Sequence, residues 1–359
     1  MKRISGFLLA LTLLTGCSST DLSYKDNVIV ATEAYTAEPT AVTPSEGSTF
    51  EIDYIDVGQA DCALIQCDGA NMLIDGGNAA DSNLVIAFLK KRNISEINYM
   101  LCTHGHEDHV GGLSGPLSVM TVDNAYAPEA AGTSKAYNNF IKKAEANGLT
   151  IQHPKTGDVI NVGSSIVEFY VPTYSYVDNL NNTSIMCMVT YGENRFLFTG
   201  DAEYDEEKNI LSQGINLDAD VLKVGHHGSS TSTNYEFLRS VMPQYGIISV
   251  GYGNSYGHPT DACLSRLRDA DVSVYRTDLQ GDITLKSNGK TISISTQKNE
   301  TIQTNTTDKV AEGYIGNTRS KKFHKPTCRS LPEEHNRVHF SNRSDAITAG
   351  YESCRLCYP

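Results

Sequence analysis

The sequence predicts a layered α/β body, two packed mixed sheets flanked by helices, followed by a small separate module. Three observations carry this prediction. Eleven short runs rich in β-branched and aromatic residues recur over residues 51–296, many bounded by Gly, Asn or Asp. Amphipathic helical stretches lie between them. A polar stretch, QKNETIQTNTTDK at 297–309, then separates this body from a tail that holds three of the nine cysteines.

Taken in order, the chain begins MKRISGFLLALTLLTGC, two basic residues before an apolar run from Phe7 to Leu14. The run is shorter than the ~20 residues that span a bilayer, and small residues precede Cys17. Residues 1–16 therefore read as an export signal. LTGC resembles the lipobox of bacterial lipoproteins, which implies a lipid on Cys17 and a place in the cell envelope, anchored on the extracytoplasmic side of a bacterial membrane. A plain secretory signal is the alternative. Residues 17–48, rich in Ser, Thr, Ala, Glu and Pro, read as a flexible tether.

The body is expected over 49–296. Its strands are EIDYIDV, CALIQC, NMLID, INYMLCT, IVEFYV, SIMCMVTY, RFLFTG, DVLKVG, YGIISVG, ITLKS and TISIST. Leu84, Val85, Phe88 and Leu89 share one helical face, as do Tyr137, Phe140, Ile141 and Ala144. Phe237, Leu238 and Val241 mark another helix, and Leu264 with Leu267 a further one. A linker at 297–312 leads to the module at 313–359.

Loss of Lys2 and Arg3 with the signal takes the formal charge from −13 to −15. The last 47 residues carry eight Lys or Arg against four Asp or Glu, so the rest of the mature chain is strongly acidic. Such a body does not attract polyanions at long range, and a nucleic-acid contact needs a local basic patch such as the tail. Cys62, Cys67, Cys102, Cys187 and Cys263 sit in apolar runs and read as small buried hydrophobes.

Directly after the strand INYMLCT comes HGHEDH, with His104, His106, Asp108 and His109 inside six residues. Three imidazoles and a carboxylate in a tight loop leaving a strand converge on cations that take N and O ligands at ~2.0–2.2 Å. This H-x-H-x-D-H run resembles the signature of the metallo-β-lactamase superfamily. YIDVGQADCALI, MLIDGG, NNTSIMCMV, FLFTGDAE, LKVGHHGSSTST, SVGYGNSYGHP and YRTDLQGDITLKSNGK follow or flank it in one order over residues 51–290. The series resembles the hydrolase domain of ComEC-type competence proteins and its free-standing secreted relatives.

That resemblance implies an αββα sandwich and two Zn²⁺ ions, with Mn²⁺ as an alternative. His104 and His106 would hold one ion, Asp108 and His109 the other, and Asp201 would bridge them. His226 or His227 would complete the second site, the other facing substrate. The superfamily often places a further ligand histidine before the bridging Asp. Here that interval holds only His153, in the turn-like IQHPKTGD, so the first site is expected to be three-coordinate from protein plus water or completed by a substitute such as Asn182 or Ser184, with a single-metal site as the alternative. Asp75 suits a hydrogen bond orienting a ligand histidine. Asp56, Gln59 and Asp61 come from a strand end, and His258, after another strand, can reach the cleft to touch substrate or a ligand; structural turn roles are the alternative for each. Ser229, Ser230 and Thr231 offer hydroxyls to a phosphate or serve only as loop formers.

The tail has His324 and Cys328, a helix-like SNRSDAITAGY, then Cys354 and Cys357. One His and three Cys suit a closed tetrahedral Zn²⁺, and ~45 residues need such a staple. The segment resembles the small metal-binding domain of Ada-type proteins, with His324 where that family commonly has a fourth cysteine; a Cys354–Cys357 redox pair is the alternative. The expected function is an extracytoplasmic phosphodiesterase or nuclease acting on DNA, with water activated by a metal pair that lowers its pKa toward ~7. Asp108, Asp201 and His227 are its expected catalytic groups. Hydrolysis of envelope phosphodiesters of phosphocholine or teichoic type, or of another small ester, is the alternative, ahead of a non-catalytic surface binding protein. No obligate protein partner is expected.

Overall fold

The computed structural model describes residues 44–298 and 313–354, apart from residues 131, 175–177, 327 and 342. The export signal, Cys17, most of the tether, most of the linker and Cys357 lie outside the described residues.

Among the described residues fifteen strands build the body: β1 (Phe50–Tyr54), β2 (Ala63–Cys67), β3 (Ala70–Ile74), β4 (Glu96–Leu101), β5 (Thr121–Tyr126), β6 (Ile151–Gln152), β7 (Val159–Val162), β8 (Ser165–Tyr170), β9 (Met186–Tyr191), β10 (Asn194–Phe198), β11 (Val221–Lys223), β12 (Tyr245–Ile248), β13 (Ser273–Arg276), β14 (Ile283–Ser287) and β15 (Ile292–Thr296). One sheet runs β15-β14-β1-β2-β3-β4-β5-β6, the other β13-β12-β11-β10-β9-β8-β7. Both are mixed: β3 to β6 are parallel, as are β10 to β13, while β1 pairs antiparallel with β2 and β14.

Alternation along the strands makes the layers. On β1, Ile52 and Tyr54 enter the inter-sheet core, where they join Ile65, Phe169, Val189, Phe196 and Phe198. Leu64 of β2 points the other way, into a second core with Leu73, Val85, Leu89, Met100 and Phe140. On the opposite sheet Leu197 and Leu222 face outward to Ile210, Phe237, Leu238 and Leu267. Helices Ser82–Lys91 and Lys135–Ala146 therefore cover one sheet, and Tyr204–Ser212, Tyr235–Val241 and Asp261–Asp269 the other.

All eleven anticipated runs form strands. The sequence reading missed β5, β6, β7 and β13, which are short or polar. Within β5, for example, Asp123 and Asn124 bond Asn98 of the neighbouring strand, a cross-strand polar ladder that carries no hydrophobic alternation. The five body cysteines are buried and unpaired, as expected.

Residues 314–353 form a four-stranded sheet of Tyr314–Asn317, Lys322–His324, Arg337–Phe340 and Glu352–Ser353, with a helix at Arg343–Thr348. Among the described residues its apolar cluster holds buried Phe323, Ala346 and Tyr351, with Tyr314, Val338 and Phe340 packed against it. Among the described residues no helix is long and apolar enough to cross a membrane.

Candidate metal centre

The site lies beyond the carboxyl ends of parallel strands, where open α/β sheets commonly place ligands. Three loops meet there. The first leaves β4: His106 is extended (φ −71°, ψ 151°) and caps the short helix Glu107–Val110, so His104 and His106 precede the turn while Asp108 and His109 open it. The chain closes tightly behind it, because a Cβ on Gly112 would sit 1.8 Å from the Gly76 carbonyl oxygen. The second loop leaves β10 and carries Asp201. The third leaves β11 with His226 and His227 both left-handed, at φ 48° and 51°. Left-handed backbone at two non-glycine residues costs on the order of 1–3 kcal/mol each and clusters at functional sites.

These loops bring Asp108, His109, Asp201 and His227 together. His109 Nε2 is 3.2 Å from Asp201 Oδ2; His227 Nε2 is 3.3 Å from Asp108 Oδ2 and 3.5 Å from Asp201 Oδ2. Ligands at ~2.1 Å on a tetrahedron are separated by about 3.4 Å, so these three separations match those of neighbouring donors in a cation's shell. Beside them His104 Nε2 lies 3.1 Å from His106 Nδ1, and the His104 and His109 rings are 4.1 Å apart. Among the described residues, buried His109 Nε2 and Asp201 Oδ1 have no hydrogen-bond partner of good geometry, a costly state that a cation relieves. The donor set therefore fits divalent ions: Asp108, His109, Asp201 and His227 around one, His104 and His106 on the side of another.

The opposite ring nitrogens are anchored, which aims the Nε2 atoms inward. His109 Nδ1 meets Asp75 Oδ2 at 2.8 Å, and Asp75 also accepts the Thr103 N–H (2.8 Å) and hydroxyl (2.7 Å). His227 Nδ1 lies 2.9 Å from the Ser249 carbonyl and 3.2 Å from Asp61 Oδ1. Asp61 in turn pairs with Lys223 Nζ at 2.7 Å, a lysine only 3% exposed. Burial raises the Asp61 carboxyl, but the charges of Lys223 and His227 outweigh it and hold the group at about 2. Burial likewise opposes a charge on His227, yet Asp201 and Asp61 push it up to about 10. His104, buried beside His109, is driven well below the usual histidine range.

Of the adjacent pair, His227 is the one in the four-residue cluster. His226 Nε2 stands 3.8 Å from Asp201, and its Nδ1 turns to Glu203 at 3.1 Å. Asn182 and Ser184 lie behind the loop after β10: Asn182 Oδ1 accepts the Glu203 N–H (3.0 Å), and Ser184 Oγ accepts the Asp201 N–H (3.0 Å). Ser229 accepts the Thr231 N–H and pairs with its hydroxyl, so it braces its own loop. The His258 ring packs 5.4 Å from His226 and 6.5 Å from His227. Asp56 sits elsewhere, its carboxylate on the Gly58 N–H and its own N–H on Asp282. His153 Nδ1 meets the Ala127 carbonyl at 2.9 Å, apart from the cluster.

Sequence reasoning overlooked Lys223, Glu203 and Glu207. A lysine inside the apolar run DVLKVG was the available signal for the first, since lysine is rarely buried unless paired. Glu207 opens a helix and accepts the Thr233 and Asn234 N–H groups, tying that helix to the histidine loop. Its burial outweighs these bonds and raises its pKa to about 7. A raised carboxyl favours the fold while protonated, so its contribution is complete below ~4.5 and is lost as pH rises through ~7. Denaturant unfolding between pH 5 and 8 should show a decline on the order of 2–3 kcal/mol that E207Q flattens.

In the tail, His324 Nδ1 is 3.5 Å from Cys328 Sγ, and Cys354 completes a buried trio of ligand atoms within 4.8 Å of one another. A tetrahedral site needs one more donor; Cys357 lies outside the described residues.

The family model described as Metallo-beta-lactamase superfamily matches residues 55–252, and that described as Metal binding domain of Ada matches residues 298–359. ComE operon protein 3 of Bacillus subtilis (strain 168) is 30% identical over 262 residues, 67% of this chain and 34% of that protein. Competence protein ComA of Neisseria gonorrhoeae is 27% identical over 68% of this chain and 33% of its own length. Ribonuclease J of Synechocystis sp. is 26% identical over 34% of this chain and 20% of its own length. The chain thus spans about a third of the length of the two competence-related proteins.

Proposed function

The chain belongs to the metallo-β-lactamase superfamily, and from that premise we propose that it is an extracytoplasmic metal-dependent phosphodiesterase whose substrate is DNA. The observation that carries this reading is the convergence of Asp108, His109, Asp201 and His227, their ligand atoms all within 4.8 Å of one another, beside the His104–His106 pair. Zn²⁺ or Mn²⁺ held by these residues would supply hydroxide at neutral pH and neutralise charge on the nonbridging phosphate oxygens. The chain's own groups do the rest. Asp75 and the Asp61–Ser249 pair fix the ring orientation of His109 and His227. Ser184 fixes the backbone of Asp201. Asp108, with 31% of its side chain exposed against 2% for Asp201, is the acidic group at the open face, where an attacking water is oriented and its proton can pass to solvent.

Support for a phosphodiester comes from likeness to two competence-related proteins and a ribonuclease. The basic C-terminal module, matched to the metal-binding domain of Ada, would hold a structural Zn²⁺ through His324, Cys328, Cys354 and Cys357 and offer DNA the contact that the acidic body does not. The export signal read at residues 1–16 and the lipid expected on Cys17 support a place at the envelope. The acidity of the body favours a second reading, hydrolysis of a small envelope phosphodiester.

Purified protein with Zn²⁺ or Mn²⁺ restored is expected to degrade linear DNA and to hydrolyse bis-p-nitrophenyl phosphate, with Asp108→Ala lowering both rates by about 10²-fold or more. Ester hydrolysis with intact DNA would select the envelope reading. No turnover of either at full metal occupancy would leave a binding protein.

A further inference from the structure

Beside the histidines, the loop Gly251–His258 presents two tyrosines to solvent, Tyr252 at 84% and Tyr256 at 72% exposure. Loops usually expose polar residues, and a large ring on the surface calls for a reason when it sits at a site. This loop is also held in one shape. The Asn254 amide donates to the Gly251 carbonyl (2.9 Å) and the His258 carbonyl (2.6 Å), while its oxygen accepts the Tyr256 (3.1 Å) and His258 (3.0 Å) N–H groups. Gln59 accepts the Gly251 N–H from the other sheet at 3.1 Å. Ordering has therefore been completed before any ligand arrives.

The rings continue inward. Tyr256 stacks on His258 with centroids 5.8 Å apart and planes at 26°. His258 in turn lies nearly parallel to His227, at 6.5 Å and 25°. Tyr256 thus lies two ring-to-ring steps from the cation-binding His227, at most about 12 Å, within reach of a base next to a phosphate held between the cations and this loop.

We propose that Tyr252 and Tyr256 form a stacking subsite for the base of the nucleotide that adjoins the scissile phosphodiester. This rests on the phosphodiesterase reading above and narrows it to substrates carrying a planar ring, with unpaired bases preferred because a stacked duplex base has no free face. Open ring faces on a stapled loop suit sequence-tolerant stacking. They suit a quaternary ammonium less well, since such a cation is enclosed by several rings.

Two measurements on the metal-loaded full chain separate this subsite from the reading it rests on. The first compares kcat/KM for the p-nitrophenyl ester of thymidine 5′-phosphate with that for methyl p-nitrophenyl phosphate. The second compares binding of fluorescein-labelled hexathymidylate with that of an abasic phosphodeoxyribose hexamer. The wild-type protein should prefer the base-bearing partner by about 10-fold in each, and Y252A/Y256A should reduce both ratios to within 2-fold; Y252A alone, which leaves the Tyr256–His258 stack in place, should lower them partway. Ester hydrolysis with no preference for the base, or a preference that survives in the double variant, overturns the subsite and leaves the phosphodiesterase intact. Binding preference lost in the variants, without turnover of either ester, upholds the subsite and overturns the phosphodiesterase.

Discussion

Replacing Asp201 by alanine should reduce turnover on the order of 10³-fold and release bound metal, while the folded protein survives. Asp201 is the carboxylate shared by His109 Nε2 and His227 Nε2, and its side chain is only 2% exposed. A coordinated cation supplies several kcal/mol of transition-state charge stabilisation, and 1.36 kcal/mol is a factor of ten in rate. Survival of the fold follows from the anchoring bonds, which lie on the far side of each ring: Asp75 on His109, Ser249 on His227. Steady-state kinetics with metal analysis of the same sample checks both halves. Ser184→Ala, which removes the acceptor for the Asp201 N–H and the donor to the Asn181 carbonyl, should cost far less rate and leave metal content near that of the parent.

Asp61→Ala should act on stability as much as on rate. Lys223 is 3% exposed, and besides Asp61 its ammonium bonds only the Val224 carbonyl among the described residues, at 3.1 Å. Breaking one side of a buried pair costs about 3–5 kcal/mol, because the remaining charge is left without compensation. The same substitution removes one of the two groups on His227 Nδ1. Denaturant unfolding should show the loss, and Asp61→Ala combined with Lys223→Met should recover much of the stability but not the rate. A double variant as unstable as the single one would mean that Asp61 supports the fold through something other than that lysine.

The parts of this molecule that were legible in the sequence are those encoded locally. HGHEDH fixes four donors within one turn after one strand, so their convergence follows from short-range geometry. The apolar runs of β1, β2 and β10 alternate faces residue by residue and so declare a two-sided layer. What was not legible depends on register between distant strands. The choice of His227 over His226 as cluster member is made by left-handed backbone at both residues and by the Ser249 carbonyl of the next strand end, 22 positions later. The role of Ser184 as a brace for Asp201 needs the loop before β9 to lie under the loop after β10. Lys223 and Asp61 meet across 162 positions and two sheets, and neither residue's neighbours in the chain indicate the other. The polar strand β5 carries Asp123 and Asn124 where alternation would need apolar residues, so its place beside β4 becomes evident only from the cross-strand bonds to Asn98.

The central claim is that Asp108, His109, Asp201 and His227 hold a divalent ion on which hydrolysis depends. Its most direct test is turnover of bis-p-nitrophenyl phosphate against bound metal, as chelated protein is titrated with Zn²⁺ or Mn²⁺, in parallel for the parent and D201A. The rate of the parent should rise from baseline in proportion to metal bound and plateau at saturation, with D201A flat throughout. A parent that hydrolyses the ester equally well after chelation, or a D201A variant that follows the parent's curve, would contradict it.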